Sequence, residues 1–124
     1  GVTFAMVDAG FVDLVRPAMY GSYHRIELPG AAGRDKSPVV VAGPLCESGD
    51  VFTRDDSEML QPRELPTPQT GDLMVLHDGG AYGYAMASNY NSRPLPAEIL
   101  VNGTESTVVR RRQQWSDLVA GEEL

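Results

Sequence analysis

The chain has 124 residues, enough for one domain with a real core and no need of disulfides or metals. Apolar residues make up 42 %, an ordinary globular share, and the net charge of −7 argues against a nucleic-acid partner, which needs a basic surface. The single cysteine excludes an internal disulfide, so nothing points to an oxidising compartment and a cytoplasmic setting is expected; no apolar run approaches the roughly 20 residues of a membrane span.

Strand signals dominate the chain in order. Val2–Asp8 is almost continuously apolar and predicts a strand buried on both faces. The opening Gly1-Val2-Thr3-Phe4 runs straight into that strand, so the chain is expected to be a piece of a longer protein. Asp13–Tyr20 allows a short turn of helix, with Pro17 confined to an early helical position. Tyr23–Leu28 alternates loosely and stops at Pro29-Gly30, and Gly30–Ser37 reads as a loop. Pro38–Ala42 is a β-branched strand ending at Gly43-Pro44, and Val51–Thr53 is a further short strand. The proline- and charge-rich stretch Arg54–Thr70 reads as a long connecting loop, followed by an apolar strand at Leu73–His77.

Gly79–Gly83 holds glycines around Ala81 and Tyr82, which predicts tight backbone turns or close backbone approach to a ligand. Ala97–Val101 and Thr104–Arg110 flank Asn102-Gly103, a strong hairpin signal because both turn residues tolerate positive φ. That turn also explains the Asn102-Gly103-Thr104 triplet better than glycosylation does. Gln113–Ala120 places Trp115, Leu118 and Val119 on one helical face, with Gly121 as the expected cap. Six or more short strands with Gly/Pro turns and a terminal helix predict a mainly β domain, a Greek-key-like barrel or sandwich.

Few residues suggest chemistry. Cys46 lies among Glu47, Ser48 and Asp50 on a glycine-bearing loop, which is poor company for a core thiol. It is either a small buried hydrophobe or a proton donor or nucleophile. Gly79–Gly83 is either a phosphate cradle or a plain turn, and it matches neither established glycine-rich phosphate pattern. Arg16 either clamps a carboxylate through parallel hydrogen bonds or pairs with Asp13. His24, His77 and Cys46 show no metal-ligand spacing, so both histidines read as structural. Arg110-Arg111-Arg112 reads as a solvated strand end before the helix.

Three blocks resemble the fold-type III pyridoxal-phosphate (PLP) decarboxylases, and within them the diaminopimelate decarboxylases. The first runs from Val7-Asp8-Ala9-Gly10 through Asp13-Leu14, Arg16-Pro17 and Tyr20 to Tyr23-His24. The second is Gly43-Pro44-Leu45-Cys46-Glu47-Ser48-Gly49-Asp50. The third is Gly80-Ala81-Tyr82-Gly83 through Met86–Asn91 to Arg93-Pro94. They come in the family's order and cover nearly the whole chain.

The resemblance implies a C-terminal β domain that follows a TIM-like barrel, or that barrel fused behind an aspartate-kinase module. The lysine that holds PLP as a Schiff base would lie outside the chain, since Lys36 matches no family lysine. By match, Cys46 would be the proton donor after carbon dioxide leaves, and Glu47 would bind the substrate's far amino group. Arg16 and Tyr20 would bind substrate carboxylate. Tyr82 would lie near the PLP phosphate and touch substrate. Family members are commonly homodimers in which the cysteine loop completes the neighbouring subunit's site. The implied activity is conversion of meso-2,6-diaminopimelate to L-lysine and carbon dioxide. The alternatives are decarboxylation of another basic or diamino acid, or a non-catalytic interaction domain.

Overall fold

The structure, a computed structural model, describes residues 1–123. Its centre is β3 (Lys36–Ala42), which pairs in parallel with β1 (Thr3–Met6) and antiparallel with β4 (Arg63–Pro66). Val39, Val40 and Val41 are fully buried, because this run of valines has neighbours on both faces. Val39 and Val41 pack with Leu14, Ile26, Leu28, Phe52 and Leu65. Burial of such side chains contributes ~1.5–3 kcal/mol each, which makes β3 the main source of cohesion.

The parallel β1–β3 pair needs a crossover. It carries α1 (Arg16–Tyr20) and β2 (Ile26–Glu27), and β2 forms a small antiparallel sheet with β5 (Val75–Leu76). A third sheet is the hairpin of β6 (Glu98–Asn102) and β7 (Glu105–Arg110), whose turn contains Gly103 at φ 61°. The turn is thus centred one residue later than Asn102-Gly103 suggested. Among the described residues there are seven strands, with α2 (Gly80–Ala85) and α3 (Trp115–Leu118) besides α1, so the chain is mainly β.

The structure departs from the sequence pattern at several places. Among the described residues the three sheets do not close into a barrel. β1 is an exposed edge strand, not a doubly buried one: Val2, Phe4 and Met6 all face solvent. β4 lies inside the stretch read as loop, hidden because Pro62 and Pro66 bracket a segment with one apolar residue, Leu65. Val51–Thr53 forms no strand; Val51 bridges Ala42 and Arg54 bridges Leu60. The strands at β2 and β5 are two residues long, shorter than their apolar patterns predict. Gly79–Gly83 opens a helix and is not a turn between strands. α3 spans only four residues and ends at Val119, with Trp115 exposed.

Candidate active site

α1 is short and strongly bounded. Pro17 sits in its first turn, where a missing N–H costs nothing. Gly21 ends it in the left-handed region at φ 60°, and the N–H groups of Gly21 and Ser22 cap the carbonyls of Pro17 and Arg16. Arg16 and Tyr20 are one turn apart and so share a face. The Arg16 guanidinium lies 5.2 Å from the Tyr20 ring centroid and 5.2 Å from that of Tyr82. Both are cation–π distances.

Asp13 does not pair with Arg16; its carboxylate accepts the Gly10 N–H at 2.8 Å. Among the described residues no carboxylate neutralises Arg16, which leaves its N–H groups for an anionic group.

Tyr82 reaches Arg16 because α2 forms where glycines suggested a loop. The Gly83 N–H donates to Gly79 at 3.0 Å, and Ser88 at the far end donates to Val12 at 3.0 Å. Tyr84 lies under Arg110 at 4.1 Å, so two arginine–tyrosine stacks hold this short helix. A Cβ on Gly80 or Gly83 would meet nothing within 4 Å, so both glycines border open space beside Tyr82.

The Cys46–Glu47 loop leaves β3 at Gly43 and is organised by a residue that carried no assigned role in the sequence, Asp50. Its side chain is buried, and its carboxylate accepts the N–H of Phe11 at 2.7 Å and of Leu45 at 2.9 Å. The Gly43 N–H donates to the Asp50 carbonyl, and the Asp50 N–H to the Glu47 carbonyl. Gly43 has to be glycine, since a Cβ there would sit 2.2 Å from the Asp50 carboxylate. An acid between Gly49 and the apolar Val51-Phe52 was the available signal.

This clamp presents Cys46 as an exposed free thiol, not a buried hydrophobe. Glu47 accepts the Gly49 N–H at 2.9 Å and faces the Ser48 hydroxyl at 3.3 Å. The Gly49 N–H above all, with the Ser48 and Tyr90 hydroxyls, holds its carboxyl below the usual glutamate range. Glu47 is thus an exposed, ionised acceptor suited to an ammonium group. It lines a cleft of about 610 Å³ with Phe11, Val15, Met19, Ser48 and Tyr90.

The candidate residues therefore form two groups. Arg16, Tyr20 and Tyr82 converge through their stacks. Cys46 and Glu47 share one loop, and of the two Glu47 lines the cleft, with Val15 and with Ala18 and Met19 of α1. Among the described residues no hydrogen bond or ring contact joins the two groups. His24 and His77 lie elsewhere: His24 Nδ1 donates to the His77 carbonyl at 2.9 Å, and the His77 ring sits between Arg25 and Glu27. Lys36 is exposed at the start of β3. Arg110 pairs with Glu98 and Arg111 with Asp117, so two members of the basic run brace their own neighbourhood.

Residues 1–80 match the family of the pyridoxal-dependent decarboxylase C-terminal sheet domain. The chain belongs to this family. The diaminopimelate decarboxylase of Escherichia coli (strain K12) is 54% identical over 122 residues, covering 94% of this chain and 29% of the relative. That of Streptomyces coelicolor is 53% identical over 123 residues, covering 96% and 28%. A crystal structure of a diaminopimelate decarboxylase superposes with a TM-score of 0.89 at 52% identity, over 94% of this chain and 29% of that one. The M. jannaschii diaminopimelate decarboxylase in complex with L-lysine gives 0.83 at 38% identity, over 98% and 26%.

The chain thus spans about 29% of the length of these curated relatives. The family match takes in α1, the cysteine loop, Asp50 and Arg54, and it ends before Tyr82 and Tyr90. For a pyridoxal-dependent sheet domain, the donors of Arg16, Tyr20 and Tyr82 and the open space at Gly80 and Gly83 are a fitting set.

Proposed function

We propose that the chain is the C-terminal β domain of a diaminopimelate decarboxylase, which converts meso-2,6-diaminopimelate to L-lysine and carbon dioxide with pyridoxal 5′-phosphate. The observation that carries this reading is the Cys46–Glu47 loop: a free thiol beside an ionised carboxylate, on a loop clamped by buried Asp50. The cofactor, held by a lysine outside this chain, supplies the electron sink for decarboxylation. This chain's residues do the rest. Arg16 and Tyr20 bind substrate carboxylate, and Tyr82 donates a hydrogen bond to the cofactor phosphate and contacts substrate. Glu47 takes the far ammonium group. The carbon that loses carbon dioxide gains one proton, delivered from Cys46 Sγ–H, and the thiolate is reprotonated from solvent.

The two groups of residues serve different sites in this reading. Arg16, Tyr20 and Tyr82 face the N-terminal barrel of their own protein, and the Cys46–Glu47 loop reaches into the partner subunit's site in a homodimer. The lack of direct contact between the groups supports that division. The exposed apolar strands β1 and β6–β7 are covered by the rest of the protein, where the sheets complete a Greek-key-like barrel or sandwich. The enzyme works in the cytoplasm, where the Cys46 thiol stays reduced.

The test is carbon dioxide release from meso-2,6-diaminopimelate by the full-length protein. In it, Cys46→Ala lowers turnover ~10²–10⁴-fold while cofactor absorbance is unchanged. Wild-type turnover in Cys46→Ala rejects the proton-donor role. Faster turnover of ornithine or arginine than of diaminopimelate rejects the substrate.

A further inference from the structure

We propose that Arg54, which borders the same cleft as Glu47, is a positioning residue for Glu47, acting through Gly49, and so sets affinity for the substrate's far amino group. The inference rests on the proposed role of Glu47. Arg54 follows Thr53, which is fully buried and whose Oγ1 accepts the Val41 N–H at 3.0 Å. On its other side Arg54 bridges Leu60, closing a small hairpin in which Asp55 accepts the N–H groups of Ser57 and Met59. The backbone beside Arg54 is therefore tied to the buried C-terminal end of β3.

The side chain is only 9% exposed, yet its donors are poorly used. Nη1 donates to the Gly49 carbonyl at 3.3 Å, Nη2 meets Glu58 at 3.4 Å, and the buried Nε has no partner. Glu58 is 84% exposed, so that ion pair is screened by solvent. A guanidinium with five donors, buried in this way, is a poor device for stability. Its placement makes sense for the loop in front of it. A Cβ on Gly49 would lie 3.1 Å from Arg54 Nη1 and 3.5 Å from Glu47 Oε1. Gly49 is sandwiched between the two: its N–H donates to the Glu47 carboxylate, and its carbonyl accepts Arg54 Nη1 at 3.3 Å besides the Val51 N–H at 2.8 Å.

The loop thus has two anchors. Asp50 accepts the Leu45 N–H beside Cys46 and donates its own N–H to the Glu47 carbonyl, whereas Arg54 grips Gly49 next to the Glu47 carboxylate. Loss of Arg54 leaves the Asp50 clamp in place and loosens the side-chain hold on Gly49, whose N–H positions the carboxylate. Binding of a group remote from the reacting carbon then weakens equally in ground and transition states, which raises KM and spares kcat.

The experiment uses the full-length protein with meso-2,6-diaminopimelate. Arg54→Met raises KM ~10-fold with kcat within ~3-fold of wild type, and Arg54→Lys, which keeps a charged donor, restores most of the affinity. In a Glu47→Gln background, Arg54→Met adds less than ~2-fold to KM, since the group it positions is already lost. Arg54→Gln carries the same expectation if Arg54→Met does not fold. The inference is overturned if the KM effects of Arg54 and Glu47 substitutions multiply, or if Arg54 variants lose kcat and thermal stability with KM unchanged. An active wild type with unaffected Arg54 variants also overturns it. No carbon dioxide from the wild type instead defeats the reading of the whole enzyme.

Discussion

Asp50 and Glu47 are three residues apart and play opposite parts. The Asp50 carboxylate is buried and spends both oxygens on backbone N–H groups that have no other acceptor. Asp50→Ala strands those donors at a cost of ~1–3 kcal/mol each, so urea unfolding of the isolated chain should move to a lower midpoint. An unchanged midpoint would show that the loop is held otherwise. Glu47 is exposed and its carboxyl is lowered by the Gly49 N–H. A lowered value means that this contact is fully present above the ordinary glutamate value of 4.5 and is lost as pH falls through the lower, folded one. A carboxyl-carbon NMR titration should therefore give Glu47 a midpoint below 4.5, and one at or above it rejects the hydrogen-bond assignment.

At the scale of elements, two short helices depend on single residues at their ends. α1 stops at Gly21, where φ is 60° and a Cβ would lie 2.2 Å from the Asp56 backbone nitrogen. Gly21→Ala combines backbone strain with a clash against main chain, and a loss of ~1–3 kcal/mol with a lower Tm is expected. Because α1 carries Arg16 and Tyr20, the same change should weaken substrate binding in the full-length protein. α3 is held by a capping box in which Asp117 accepts the Gln114 N–H, and by a bidentate pair with Arg111 at 2.6 and 2.7 Å. The Arg111 guanidinium first, then the Gln114 N–H, lowers the Asp117 carboxyl to about 2. Its stabilisation of α3 is complete above the usual aspartate value of 3.8 and disappears as pH falls towards about 2. Amide protection in Asp117–Leu118 should fade over that window, and in Asp117→Asn it should already be weak at pH 7.

Across the whole molecule, burial is unevenly shared. Residues around β3 form the core, whereas among the described residues β6 and β7 pair only with each other, and they expose Ile99, Leu100, Val101, Val108 and Val109. An isolated two-stranded hairpin is marginal in water. In the isolated chain, hydrogen exchange at Val39–Val41 should be the slowest and exchange along β6–β7 much faster. Equal protection of the two regions would mean that the hairpin has a partner within this chain.

Much of the fold follows from local residue preferences. The valines of β3, Pro17 early in α1 and Gly103 in the last hairpin are local choices, and each residue type restricts its own backbone. The same locality made the family blocks legible, down to Cys46 and Glu47 on a glycine-bearing loop. The rest came from long-range contacts. Gly79–Gly83 became the start of a helix because Tyr82 and Tyr84 each found an arginine distant in sequence. The apolar run of β1 became an exposed edge because it pairs on one side alone. The weak pattern of β4 became a strand because β3 offered it an unpaired edge. Asp50 and Arg54 gained their roles from neighbours that only folding brings together. A residue's own preferences are written in the chain; which element lies beside it is set by long-range pairing and burial, and these have no local signature.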